Sequence, residues 1–181
     1  MASCANIKNY QFNACEGNVG GIKRCWISNY VDNAVEYVAD DSTGSTAGVI
    51  TGWTSGASGT TWYEYKFRKN TASMTSTLNV NDNGSSYVST ELSLIFSRMA
   101  ADKRAALVAL VLSDAMVIVE DCNGNKWFLG ETNPVNVSAG GGESGQQKSD
   151  NNQYTVTLLD DNDRFPRQLA DNVTFTVAGE E

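Results

Sequence analysis

The chain has 181 residues, 41 % of them hydrophobic and 9 % aromatic, enough for one domain with a real core. Charged residues make up only 19 %, below the roughly 25 % of an average soluble protein, so Ser, Thr, Asn, Gln and Gly carry much of the polarity. A net charge of −8 excludes holding nucleic acid by counterion release, and the lack of any histidine excludes Ser-His-Asp and Cys-His catalysis and imidazole metal ligands.

The opening "MASCANIKNYQF" has no apolar run of signal-peptide length, and no stretch approaches the 18 apolar residues of a membrane span. The expectation is synthesis inside the cell, with reduced thiols and no membrane partner. "GIKRCWISNY" alternates as a strand, Ile22, Arg24, Trp26 and Ser28 against Lys23, Cys25 and Ile27, although neither face is clean. The Gly, Ser and Thr of residues 40–61 predict a long polar loop, or a loose hairpin around Val49 and Trp53. "WYEYKFRKN" alternates more sharply, Tyr63, Tyr65 and Phe67 on one side and Glu64, Lys66 and Arg68 on the other.

"TASMTSTLNV" and "SYVSTELSLIFSR" flank Asn83-Gly84, a hairpin turn because both residues accept positive φ. Leu92, Leu94 and Phe96 share the apolar face of the second arm. "MAADKRAALVALVLSD" predicts the one α-helix, over residues 99–112, from Met99 to Leu112. Leu107, Leu110 and Val111 follow the i, i+3, i+4 rule, and Val108 and Leu112 widen the apolar face, so the last turns are expected to be buried. "AMVIVED" and "KWFLGE" form a second hairpin about Asn123-Gly124, with Val117, Val119, Trp127 and Leu129 as core or interface positions. Residues 138–152, containing Gly140, Gly141, Gly142, Glu143, Ser144 and Gly145, lack periodicity and predict a second long loop. "YTVTLLDD" and "NVTFTVAG" complete the chain as strands, with Tyr154, Val156 and Leu158, then Val173, Phe175 and Val177, pointing inward. The fold class expected is mainly β: an antiparallel β-sandwich or barrel of seven to nine strands with one packed α-helix, in a single domain spanning 1–181.

No segment carries chemistry. Asn79, Asn81, Asn83 and Gly84 match the start of a calcium loop, but position 1 is not Asp and position 12 is Thr90. Asp160, Asp161 and Asp163 read as a solvated strand end. "AGGGESGQQKSD" lacks a lysine after its last glycine, so it is not a phosphate loop. Cys4, Cys15, Cys25 and Cys122 form no Cys-x-x-Cys pair, and Glu120 and Asp121 beside Cys122 disfavour a thiolate. No catalytic residue, metal ligand or cofactor is expected, and an enzyme is the least favoured class.

"GGIKRCWISNYVDN", the run "YEYKFRKNTASMTSTLNVNDNGSSYVSTELSLIFSRMAADKRAALVALVLSDAMVIVEDCNGNKWFLG" and "SGQQKSDNNQYTVTLLDDNDRFP" together resemble virion structural proteins of Bacteroides phages, those of crAss-like phages most nearly. The resemblance covers about residues 20–166 and implies a tail-tube-like or neck-ring protein, made in the host cytoplasm and carried in the virion. It implies a homo-oligomeric ring, six- or twelve-fold, that joins β-sheets between subunits and meets an adjacent virion ring, portal or tail proteins. DNA would pass through its lumen without specific binding. The loop from Gly140 to Gly145 is the expected contact with a neighbouring subunit. The alternative is a monomeric β-sandwich binding module, for capsid decoration or carbohydrate binding, with Trp53, Trp62 and Trp127 as stacking platforms.

Overall fold

The computed structural model describes residues 18–40, 46–68 and 70–179. Cys4, Cys15 and part of the predicted 40–61 loop lie outside them. "AMVIVED" forms strand β7 (Ala115–Asp121), buried on both faces along almost its whole length, and the fold is layered about it. With a side-chain period of two, Ala115, Val117 and Val119 enter one core while Met116 and Ile118 enter a second.

In chain order the remaining elements are β1 (Ile22–Asn29), β2 (Val35–Tyr37), β3 (Ile50–Trp53), β4 (Thr61–Lys66), β5 (Ala72–Val80), β6 (Ser86–Ser97), α1 (Ala101–Val111), β8 (Lys126–Leu129), β9 (Asn136–Glu143), β10 (Gln153–Asn162), β11 (Arg167–Gln168) and β12 (Thr176–Val177). A six-stranded sheet runs β11-β8-β7-β1-β4-β12, a four-stranded sheet β5-β6-β10-β9, and β2-β3 form a small ribbon. The protein is mainly β, an antiparallel sandwich with one helix, as expected. The strand count rises to twelve because β2, β11 and β12 are only two or three residues long, too short to leave a periodic signal. β12 pairs in parallel with β4, and an isolated parallel bridge joins Ile50 to Leu169.

The first core lies between the two large sheets. Cys25, Ile27, Val117, Val119 and Leu129 meet Leu92, Leu94, Val156 and Leu158 there. The second core covers the far face of the six-stranded sheet, where Trp26, Trp62, Met116, Ile118 and Phe128 pack against Val35, Ile50, Leu169 and Val173. Burial on both sides explains why β1 showed no clean face. A register shift between Ile22 and Arg24 adds to this, turning Ile22 toward Cys25 and Ile27. Val173, Phe175 and Val177 point inward as predicted.

Both Asn-Gly hairpins form. Gly84 and Gly124 sit at φ +83° and +92°, and Asp121 accepts hydrogen bonds from the backbone of Asn123 and Asn125 and from Trp127 Nε1 (3.1 Å). The 40–61 stretch is not all loop: β3 lies within it and pairs with β2, an element sequence periodicity did not show. The predicted 138–152 loop is corrected more sharply. Asn136–Glu143 is a strand, paired with β10 from Gln153↔Glu143 to Leu159↔Asn136. Gly140, Gly141, Gly142 and Glu143 are strand residues, and only Ser144 and Gly145 fall in the connection to β10.

Ionic groups pin the edges. Arg167, its side chain 3 % exposed, bridges Asp40 and Glu131 (2.9 Å) and stacks 3.9 Å from the Tyr37 ring centre. The Arg167 guanidinium, followed by Arg164, holds the Asp40 carboxyl below the usual carboxylate range. Glu120 accepts from Arg24 (2.6 Å) and Lys23 (3.0 Å). Burial opposes its charge, but those two donors outweigh it and keep its carboxyl low. The acidic run at the end of β10 is not simply solvated, because Asp160 is 3 % exposed. It points inward in the row of Val156 and Leu158, bonded by the Asn162 amide and the Gly130 N–H. Burial pushes its carboxyl up to about 6 against those two bonds.

Two outcomes are expected. Arg167→Met leaves Glu131 unpaired and Asp40 with Arg164 alone, and lowers unfolding free energy by about 2–3 kcal/mol in urea titration, under the 3–5 of a fully buried pair because Asp40 keeps Arg164 (2.7 Å) and partial solvation. Asp160 has a folded-state pKa above its unfolded value of about 3.9, so its contribution is complete below pH 4 and lost as pH rises through about 6. The part of the stability that Asp160 supplies should therefore fall by about 2–3 kcal/mol between pH 4 and 6.5, against the opposite slope of the low carboxyls Asp40 and Glu120. Asp160→Asn should remove that fall, measured as the urea midpoint at half-unit pH steps; a slope unchanged by the substitution would refute the assignment.

Candidate assembly surface

The two large sheets end differently. The six-stranded sheet closes on two-residue strands, β11 and β12, which offer little backbone to a partner. The four-stranded sheet ends in nine-residue β5 and eight-residue β9. Among the described residues no strand pairs with the outer side of either. Proteins protect such edges with Lys, Pro, bulges or short length, since unpaired N–H and C=O groups template further pairing. β5, "ASMTSTLNV", has no charge and no proline; β9, "NVSAGGGE", has no proline, one terminal Glu and a bulge at Ser138 between Val137 and Ala139.

β9 forms a strand despite its glycines because β10 supplies its geometry. A side chain at Gly142 would stand 2.9 Å from the Tyr154 ring, which lies flat along this strand, and one at Gly140 would meet the Thr155 carbonyl at 3.3 Å. The glycines let Tyr154 and the backbone of β10 approach, and they leave the inner side of the strand bare.

α1 lies along this bare side. It begins near the C-terminal end of β9, where the Met99 N–H bonds Asn152 Oδ1 (2.8 Å), and ends near the start of β9, where Ala115 bridges Val135. Only Leu107 and Leu110 face the core. Val108, Val111 and Leu112 are 46 %, 60 % and 82 % exposed, so the expected burial of the last turns does not occur within one chain. Between α1 and β9 runs an open apolar groove of about 510 Å³, lined by Leu107, Val111, Val137, Tyr154 and Val156 with the glycine backbone as its floor. β5, at the other edge, carries a matching surplus: Leu78 and Val80 face the inner side of the sheet yet are 51 % and 69 % exposed.

The opposite face of this sheet is polar. Thr75, Thr77, Ser89, Ser93, Thr155 and Thr157 cover most of it, with Tyr87, Ile95 and Leu159 among them and Glu91, Asp161 and Glu143 as its charges.

Of the predicted site residues, Gly140, Gly141, Gly142 and Glu143 fall on one of these two edges, Ser144 and Gly145 just beyond it, and Asn83 and Gly84 at the tip of the β5–β6 hairpin. Asn123 and Gly124 lie elsewhere, where Asn123 Oδ1 accepts from the Val19 N–H (2.8 Å). The exposed helix face and Leu78 and Val80 were not anticipated. Their signal was present in "ALVALVL", an apolar run wider than one buried stripe requires.

Among the described residues no group of three or more His, Cys, Asp or Glu could hold a metal. Cys25 is fully buried, which pushes its thiol up, and Cys122 is exposed 3.6 Å from the position of a side chain at Gly21. The tryptophans proposed as stacking platforms are engaged. Trp62 is 1 % exposed, Trp53 donates to the Thr174 carbonyl (2.9 Å) within the second core, and Trp127 is half-buried on Asp121. No family model, no curated protein and no solved structure matches this chain.

Proposed function

We propose that this chain is a phage virion structural protein that assembles into a ring in the neck or tail, around the path of the DNA. One observation carries the reading: a four-stranded sheet with long strands at both edges, neither carrying a lysine or a proline, with a bulge at Ser138 of β9 as the one interruption. Two different open edges on one sheet make a head-to-tail contact, and a contact of that kind closes into a ring when its rotation allows. Four strands are an even number, so β5 and β9 run in opposite directions. When every subunit stands the same way up, β5 of one therefore meets β9 of the next antiparallel, continuing the pattern inside the sheet.

Six copies make a closed sheet of about 24 strands, with a backbone diameter of about 40 Å at about 4.8 Å per strand. The similarity of the sequence to Bacteroides phage virion proteins supports placing such a ring in a phage particle. The binding-module alternative named Trp53, Trp62 and Trp127 as stacking platforms; Trp62 is 1 % exposed and unable to serve, while Trp53 and Trp127 are partly exposed.

The test is mass in solution. Size exclusion with light scattering at high protein concentration should give a six- or twelve-fold species, and Ser73→Lys with Thr77→Lys on β5 should return it to a monomer with unchanged unfolding midpoint. A wild-type chain that stays monomeric at millimolar concentration would sink the proposal.

A further inference from the structure

The ring reading leaves open where one sheet edge meets the next, and the geometry points to a single register. We infer that β5 of a second copy lies against β9 four residues out of step with the rows of the sheet, seating Leu78 over the groove between β9 and α1. This rests on the proposed ring and specifies its joint.

The rows can be followed across the sheet. Gly140 pairs with Val156, Val156 with Leu94 and Leu94 with Ala72, while Val137 leads through Leu158 and Leu92 to Met74. β9 thus occupies rows that end at Thr75, whereas β5 runs on to Val80. Joined without slip, the two edges would share only about half their length. A slip of four residues brings them into full overlap.

Three independent constraints agree with that slip. Four is even, so side chains stay on their own faces, as a strand register requires. It amounts to about 13 Å across about 19 Å of sheet, a strand tilt of about 35°, which is the tilt of closed barrels. It also matches surfaces. Met74 comes opposite Gly142, Ser76 opposite Gly140 and Leu78 opposite Val137, all on the inner side. Leu78 then faces the C-terminal turns of α1, where Val108, Val111 and Leu112 are exposed. Glycine leaves room there, and the incoming β5 brings the side chains that β9 lacks.

On the outer face the same register sets Thr77 opposite Ala139, while an unslipped joint sets Ser73 opposite Ala139. Opposed residues have Cβ atoms about 4.5–5.5 Å apart, close enough for a disulfide after small adjustment. Within one chain the β5 and β9 positions are separated by three strand spacings, about 14 Å, so any disulfide formed is between copies.

The experiment uses the full chain with Cys4, Cys15 and Cys122 replaced by serine, carrying either Thr77→Cys with Ala139→Cys or Ser73→Cys with Ala139→Cys. After mild oxidation of the assembled protein, the first pair should give a covalent ladder up to the ring mass and the second almost none. Separately, Leu78→Asp, a change at an exposed site, should weaken assembly at least tenfold with an unchanged unfolding midpoint. Intact rings that cross-link through the second pair, or through neither, or that tolerate Leu78→Asp, overturn this register and leave the ring standing. A wild-type chain that never assembles overturns both.

Discussion

The double burial of β7 is the constraint on which the rest of the molecule depends. A strand with apolar side chains on both faces needs a cover on each, so the six-stranded sheet becomes a middle layer. The four-stranded sheet covers one face. The ribbon β2-β3 and the segment carrying Leu169, Val173 and Phe175 cover the other, and Arg167 ties that cover to Asp40 and Glu131. The middle layer is then finished on every side, with short strands at its ends. The four-stranded sheet has no such completion. Among the described residues it has one covered face, one largely polar face and two open edges, and its helix hides only two of its apolar side chains.

The strongly periodic elements were legible in the sequence. "SYVSTELSLIFS" alternates without interruption, Asn83-Gly84 and Asn123-Gly124 announce their turns, and "AADKRAALVALV" has helix-forming composition throughout. The errors share a cause. Glycine has no intrinsic preference for a strand, so β9 reads as a loop; it is held in place by partners ten to twenty-three residues away, through tertiary contacts that no local pattern records. Asp160 was read as solvent-facing because acids usually are, yet it continues the inward row of Val156 and Leu158. The helix was read as buried because its apolar face is wide. The width was real, and half of it turns outward.

That last discrepancy bears on function. In a finished monomer, apolar side chains on the outer side of a helix are a liability, as is a long strand edge without charge or proline. Here both occur along the same groove, and the other edge of the same sheet carries exposed Leu78 and Val80. Each feature alone is unremarkable. Their coincidence on opposite ends of one sheet is what a head-to-tail joint needs, since each copy must offer both halves of the contact.

The proposed ring would also orient the remaining face. If the four-stranded sheets join edge to edge, their inner faces stay packed on the middle layer and α1, so the polar face must line the lumen. That face carries Ser and Thr hydroxyls with Glu91, Asp161 and Glu143, and no strand residue on it is Lys or Arg. Repeated around a ring, three carboxylates per copy and no cation create a surface that repels phosphate, while the hydroxyls keep it wet. A duplex would pass such a wall without an anchoring ion pair at any angle. The acidity that disfavours holding nucleic acid by counterion release would, on this proposed geometry, suit conducting it.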